Sequence, residues 1–212
     1  MPCKQMAGKS DNSHIGGCKS HLWEYLGPMN TTIAVLAIVA LLAVLVITQY
    51  NKLVRLNNNV SEAFAQIEVQ LRRRSDLIPN LVETVKGYAS HEKETFEKVI
   101  AARAQATAAQ GVHDVAAADG ALTQALRGLL AVSEAYPDLK ASANFSQLQE
   151  ELAGTENKVA FARQYYNDSV NQLNSTVQAI PGMFFAPLAK VSAREFYEVE
   201  DPEARNTPKV QF

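Results

Sequence analysis

Between Glu24 and Lys52 the chain carries no charged residue, and Ile33 to Ile47 is an unbroken run of fifteen apolar side chains. With Thr31, Thr32 and Thr48 the run reaches about 18 residues, or roughly 27 Å of helix at ~1.5 Å per residue. The hydrocarbon core of a bilayer is ~30 Å thick. A buried core helix of this length would ordinarily keep a polar face, and this one has none. A cleaved leader needs a shorter apolar stretch followed by a small-x-small site. Here Leu45-Val46-Ile47-Thr48-Gln49-Tyr50 ends the run with large and β-branched residues. The pattern predicts a retained transmembrane helix over 31–49 that meets the bilayer through Ile33 to Ile47. No second such run follows, which predicts a single crossing.

Everything beyond Tyr50 must then fold in water. About 160 residues are enough for one domain with its own core. The formal net charge is −2, and beyond residue 28 there are seventeen basic and twenty acidic residues. A nucleic-acid binder would show a basic excess, so nucleic acid is not an expected partner. Both cysteines, Cys3 and Cys18, precede the span, so no disulfide can brace the soluble part and apolar packing must hold it together.

Residues 1–28 differ in character from the rest. They hold both cysteines, the only tryptophan and two of the four histidines, and Met29 follows directly. We read them as a mis-assigned or disordered extension, with Met29 as the start. Cys3, His14, Cys18 and His21 fit no compact zinc-finger spacing.

Beyond the span the period becomes helical. Leu53, Leu56, Val60, Phe64, Ile67 and Leu71 form one apolar stripe that continues the span. Pro79 is expected to kink or break this helix. A second stripe runs through Val82, Val85, Ala89, Phe96, Val99 and Arg103, with a bend near Gly87 and Ser90 as an N-cap. Gly111 closes that helix, and 111–119 reads as a loop. Leu122, Ala125, Leu129, Val132 and Tyr136 make a third stripe, ended by Pro137. Asn144 with Gln147 suggests a capping box at the head of a helix of about 36 residues, some 54 Å long, which Pro181-Gly182 ends. The fold class is therefore all-α: one N-terminal transmembrane helix, then an antiparallel up-and-down bundle of about four helices over 50–182. An extended or irregular tail follows over 183–212.

No catalytic constellation emerges. His91-Glu92-Lys93-Glu94-Thr95 lacks the second histidine of a zinc-peptidase helix, and His113 stands alone. Glu150-Glu151 and Glu200-Asp201 are sequence neighbours, and adjacent residues on a helix diverge. There is no phosphate-binding glycine loop and no nucleophile elbow. The expectation is a non-enzyme with no catalytic residues, cofactor or metal. Candidate partner contacts are Arg72, Arg73 and Arg74, which could dock an acidic group or simply form a solvated bundle end, and Phe184 and Phe185, which could bind a partner or fold back on the bundle.

Tyr50-Asn51-Lys52-Leu53-Val54 and the block from Gln70 to Val82 (QLRRRSDLIPNLV) resemble the LemA family. Lys86 to Glu92, Tyr136 to Lys140, Asn144-Phe145, Leu148 to Leu152, Tyr165 to Asp168 and Pro208 to Phe212 continue the resemblance in order, from about Met29 to the end. It implies a bacterial, single-pass helical bundle in the inner membrane with no shared enzymatic activity. The role it implies is a scaffold or adaptor for other membrane or envelope proteins, or an accessory subunit of a quality-control complex beside a membrane metallopeptidase. Counted from Met29, Lys52 and Arg55 are the first cations and follow the span, so the bundle is expected on the cytoplasmic side.

Overall fold

A computed structural model describes residues 20–198, with side chains from Asn30 onward. The zinc-like set at the N-terminus, the proposed start at Met29 and the tail beyond Glu198 lie wholly or partly outside the described residues. Helix α1 is Ser20–Tyr88, α2 Lys93–Ala108, α3 Val112–Ser133, α4 Pro137–Lys140, α5 Ala143–Gln178 and α6 Gly182–Phe185. No strand occurs among the described residues. The chain divides into two compact units at Gln49 and Tyr50.

In the first unit the apolar stretch of α1 is exposed along its whole length, from Ile33 to Ile47. A helix with this much apolar surface left uncovered by the described residues is suited to lipid rather than water. Thr48 returns its hydroxyl to the Leu45 carbonyl at 2.9 Å, which satisfies it within the helix.

In the second unit α1, α2, α3 and α5 form the bundle around two successive cores. The first core joins Leu53, Val60, Ile67 of α1 to Tyr166, Val170 and Leu173 of α5, and Ala186, Val191 and Tyr197 cover it from the segment after α6. Val115 and Ala116 close its far side. The second core joins Ile78, Leu81 and Val85 of α1 to Phe96 and Val99 of α2, Leu122, Leu126 and Leu129 of α3, and Phe145 and Leu152 of α5. Leu53 and Leu173 share one core, and Ile78 and Leu152 the other, so α5 runs antiparallel to α1. With Leu139 of α4, five helices contribute to the second core. Around the first, the segment 186–197 does much of the covering that a further helix would otherwise provide.

Pro79 does not break α1, which continues unbroken to Tyr88. Proline has no N–H to give to the carbonyl four residues earlier, here that of Ser75. Arg103 of α2 replaces it, donating from Nε to the Ser75 oxygen at 2.9 Å. The chain turns instead after Tyr88, and α2 begins at Lys93 with Glu92, not Ser90, at the N-cap.

The expected loop at 111–119 is helical. Gly111, at φ 82°, takes the N-cap of α3, and its carbonyl accepts the Val115 amide at 3.1 Å. A left-handed φ favours glycine, so this residue reverses the chain in a few residues and α3 starts at once. Helix α5 has the expected 36 residues, but Ser142 rather than Asn144 precedes it, and no side chain caps it.

Gly182 packs so tightly against the end of α5 that a Cβ there would collide with the Thr176 carbonyl oxygen. After α6 the chain makes one more turn. The Val191 amide reaches the Ala186 carbonyl at 3.0 Å and the Lys190 amide the Pro187 carbonyl at 3.2 Å, with Lys190 at φ 53°. These are the two bonds and the left-handed residue of a Schellman ending. The extended segment that follows is held by two asparagines of α5. Asn167 accepts the Tyr197 amide at 2.8 Å and donates to its carbonyl at 3.2 Å. Asn174 does the same for Arg194, at 2.8 and 2.9 Å.

Candidate functional site: a buried charge cluster and an exposed aromatic face

Four helical charges meet where the two cores join. Arg74 lies on the inward stripe of α1, between Ile67 and Leu71 on one side and Ile78 and Leu81 on the other, and is 3% exposed. Asp119 lies on the inward stripe of α3 and is 1% exposed. Arg74 Nη1 donates to Asp119 Oδ1 at 2.8 Å and to Thr123 Oγ1 at 3.0 Å. Arg163 of α5 pairs through Nη2 with Asp119 Oδ2. The Tyr197 hydroxyl donates to the same oxygen at 3.2 Å, and its ring lies 5.3 Å under the Arg163 guanidinium. Glu156 Oε2 stands 2.7 Å from Arg74 Nη2, an ion pair without hydrogen-bond alignment.

Two arginines against two carboxylates leave the cluster neutral. Burial draws the pKa of both guanidinium groups down, and Glu156 partly opposes this for Arg74. Tyr197 opposes it for Arg163. Burial also pushes the Tyr197 phenol up, against the pull of Arg163. Both oxygens of Asp119 are occupied. The Nε atoms of Arg74 and Arg163 are buried without a hydrogen-bond partner. A groove of about 400 Å³ beside the cluster is lined by Arg74, Thr123 and Glu156, with Leu126, Leu130 and Leu152. What this arrangement does chemically is join α1, α3, α5 and the extended segment through one shared carboxylate.

The candidate residues therefore separate. Arg72 and Arg73 are exposed. Arg74 is neither a docking cation nor part of a solvated bundle end, because its head is committed to Asp119 and Glu156. Phe185 packs on the first core, whereas Phe184 is 67% exposed. His91 and His113 are exposed. Among the described residues no group of three His, Cys, Asp or Glu side chains could hold a metal.

Asp119, Glu156, Arg163 and Tyr197 escaped the sequence reading. A second feature is an exposed face between α1 and α5, of which the sequence pointed only to Tyr165. Phe161, 72% exposed, stands with Tyr165 beside a groove of about 440 Å³ that Gln66, Gln70 and Lys158 help to line. Exposed Val69 lies near in sequence on α1. Gln70 Oε1 is buried there and has no donor.

Comparison with known proteins agrees with the fold. The LemA family model matches residues 63–212. The magnetosome protein MamQ 2 of Paramagnetospirillum magneticum is 25% identical over 210 residues, covering 86% of this chain and 76% of that protein. MamQ of Magnetospirillum gryphiswaldense is also 25% identical, with the same coverage. Protein LemA of Metamycoplasma hominis is 26% identical over 128 residues, covering 60% of this chain and 58% of its own length. A family match over most of the chain, together with the helical architecture and the long apolar N-terminal helix, shows that the chain belongs to the LemA family.

Proposed function

We propose that this protein is a non-enzymatic scaffold or adaptor, held in a bacterial membrane by one span and presenting its bundle to other membrane or envelope proteins, on the cytoplasmic side. One observation carries the reading. The buried charges of Arg74 and Asp119, with Arg163, join helices to one another, while large aromatic side chains at Phe161 and Tyr165 stand in solvent beside an open groove. Two exposed aromatic rings beside a groove with polar groups on its walls suit a protein partner that covers them. The magnetosome proteins among the relatives support a membrane-associated role without specifying the partner.

The test is a photo-crosslinking residue at Phe161 of the full chain in its native membrane. Adducts with several membrane proteins are the expected result. Adducts with one peptidase alone would replace the scaffold with an accessory subunit of that enzyme. No protein adduct at all would remove the reading.

A further inference from the structure

We infer that the segment Ile180 to Leu188 is a second membrane contact, lying on the surface of the bilayer that the span crosses and fitted to anionic lipid headgroups. The inference rests on Ile33 to Ile47 being a membrane span.

The first observation is where the segment sits in the second unit. Phe185 and Ala186 share a core with Leu53, Leu56 and Leu173. Leu53 is six residues beyond Ile47, the last apolar residue of the run. Six residues cover ~9 Å as helix and at most ~20 Å extended. Chain length alone therefore keeps Leu53 within ~20 Å of the end of the apolar run, where the headgroup layer begins. That layer adds several ångströms to each side of the hydrocarbon core.

The second observation is what the segment shows to solvent. Phe185 turns inward, but Ile180 is 76% exposed, Phe184 67%, Leu188 62% and Met183 46%. Four large apolar side chains within nine residues form a patch that the bundle leaves bare. The tight approach of Gly182 to Thr176 and the Schellman ending at Lys190 fix the backbone that carries them. This is a shaped apolar surface.

The third observation is charge. From Tyr50 to Ser61 and from Ser169 to Arg194 there is no aspartate or glutamate, while Lys52, Arg55, Lys190 and Arg194 are all present and exposed. Glu62 and Glu195 lie just outside these stretches. Lys190 holds a left-handed φ of 53°, where glycine would be relaxed. Bare apolar side chains in stretches that carry cations and no carboxylate are the pattern of a surface that enters the boundary between acyl chains and anionic headgroups.

The experiment uses the full chain with Cys3 and Cys18 replaced by serine, in vesicles containing phosphatidylglycerol and brominated lipid. An environment-sensitive fluorophore is placed in turn at Ala40→Cys, Phe184→Cys and Phe161→Cys. Strong bromine quenching at positions 40 and 184, with none at 161, is the expected result. Quenching at 40 but not at 184 overturns the inference and leaves the span intact. Quenching at neither overturns the span as well. Phe184 is exposed, so its variant should melt like the parent by circular dichroism. As a further check, Lys52→Gln with Lys190→Gln should reduce quenching at 184 more in phosphatidylglycerol than in phosphatidylcholine. Equal reduction in both would remove the headgroup preference and with it the inference as stated.

Discussion

Pro79 cannot give an amide hydrogen to Ser75, and Arg103 supplies one from another helix. Replacing Arg103 by alanine should strand a half-buried carbonyl and cost about 1–3 kcal/mol by urea unfolding. In a Pro79→Ala background the returning N–H should reclaim that carbonyl, so the same change should cost measurably less. Asp119 carries a heavier share. Asp119→Ala leaves two arginines facing each other without their common carboxylate, and a loss of about 3–5 kcal/mol is expected by the same measurement. Tyr197 gives the cluster a pH signature. Its phenol is held above the ordinary value near 10 by burial. A group whose folded pKa is raised contributes fully below the unfolded pKa and loses that contribution as pH rises through the folded one. The urea midpoint should therefore fall above about pH 10, and Tyr197→Phe should lack this residue's share of the fall. The cluster left a trace in the sequence. Arg74 continues the stripe of Ile67 and Leu71 toward Ile78, and Arg163 lies beside Ala162 on the stripe from Val159 to Tyr166. A charge on an inward stripe asks for a buried partner. Consecutive residues point about 100° apart on a helix, and of the three arginines Arg74 is the one on the inward stripe.

At the scale of elements, the long helices were legible because each carries a sustained apolar stripe. Helix α5 has its expected length, and of the third stripe Leu122 and Leu129 lie on the inner face of α3, which Leu126 and Ser133 share, while Ala125 and Val132 are half-buried and Tyr136 falls beyond its end. The start of α3 was not legible. Gly111 reads equally as the end of one helix or the beginning of the next, and the alanines and His-Asp pair that follow show little contrast between faces. Val115, Asp119 and Leu122 do share a face, but a carboxylate on it looked like a loop residue until Arg74 and Arg163 were seen to meet it. The turn after α5 was legible only as a break, because nothing local says that Gly182 must touch Thr176. That contact makes a specific prediction. Gly182→Ala should force the turn away from α5 and uncover Leu173 and Val191, lowering the thermal midpoint by several degrees. Gly154, whose Cβ position is open, is the control, and Gly154→Ala should raise stability by about 0.5–1 kcal/mol.

For the whole molecule, the proposed orientation is a matter of charge. Lys52 and Arg55 immediately follow the apolar run, and with Met29 as the start the retention of cations on the cytoplasmic side favours that side for the bundle. Protease added to intact spheroplasts should leave the bundle uncut, whereas detergent should expose it. Cleavage before detergent, with a cytoplasmic marker protected, would reverse the assignment. Asn167 and Asn174 have a different kind of consequence. Both grip main-chain atoms of Tyr197 and Arg194, and an amide side chain paired with a peptide group is blind to which amino acid owns that group. Ser192, Ala193 and Phe196 meanwhile point into solvent. Selection can therefore rewrite those three letters almost freely while the two asparagines and Tyr197 stay fixed, and a library randomised there should return folded clones of very different spelling. The same stretch is a place to write a short epitope into the protein without disturbing the bundle it lies on.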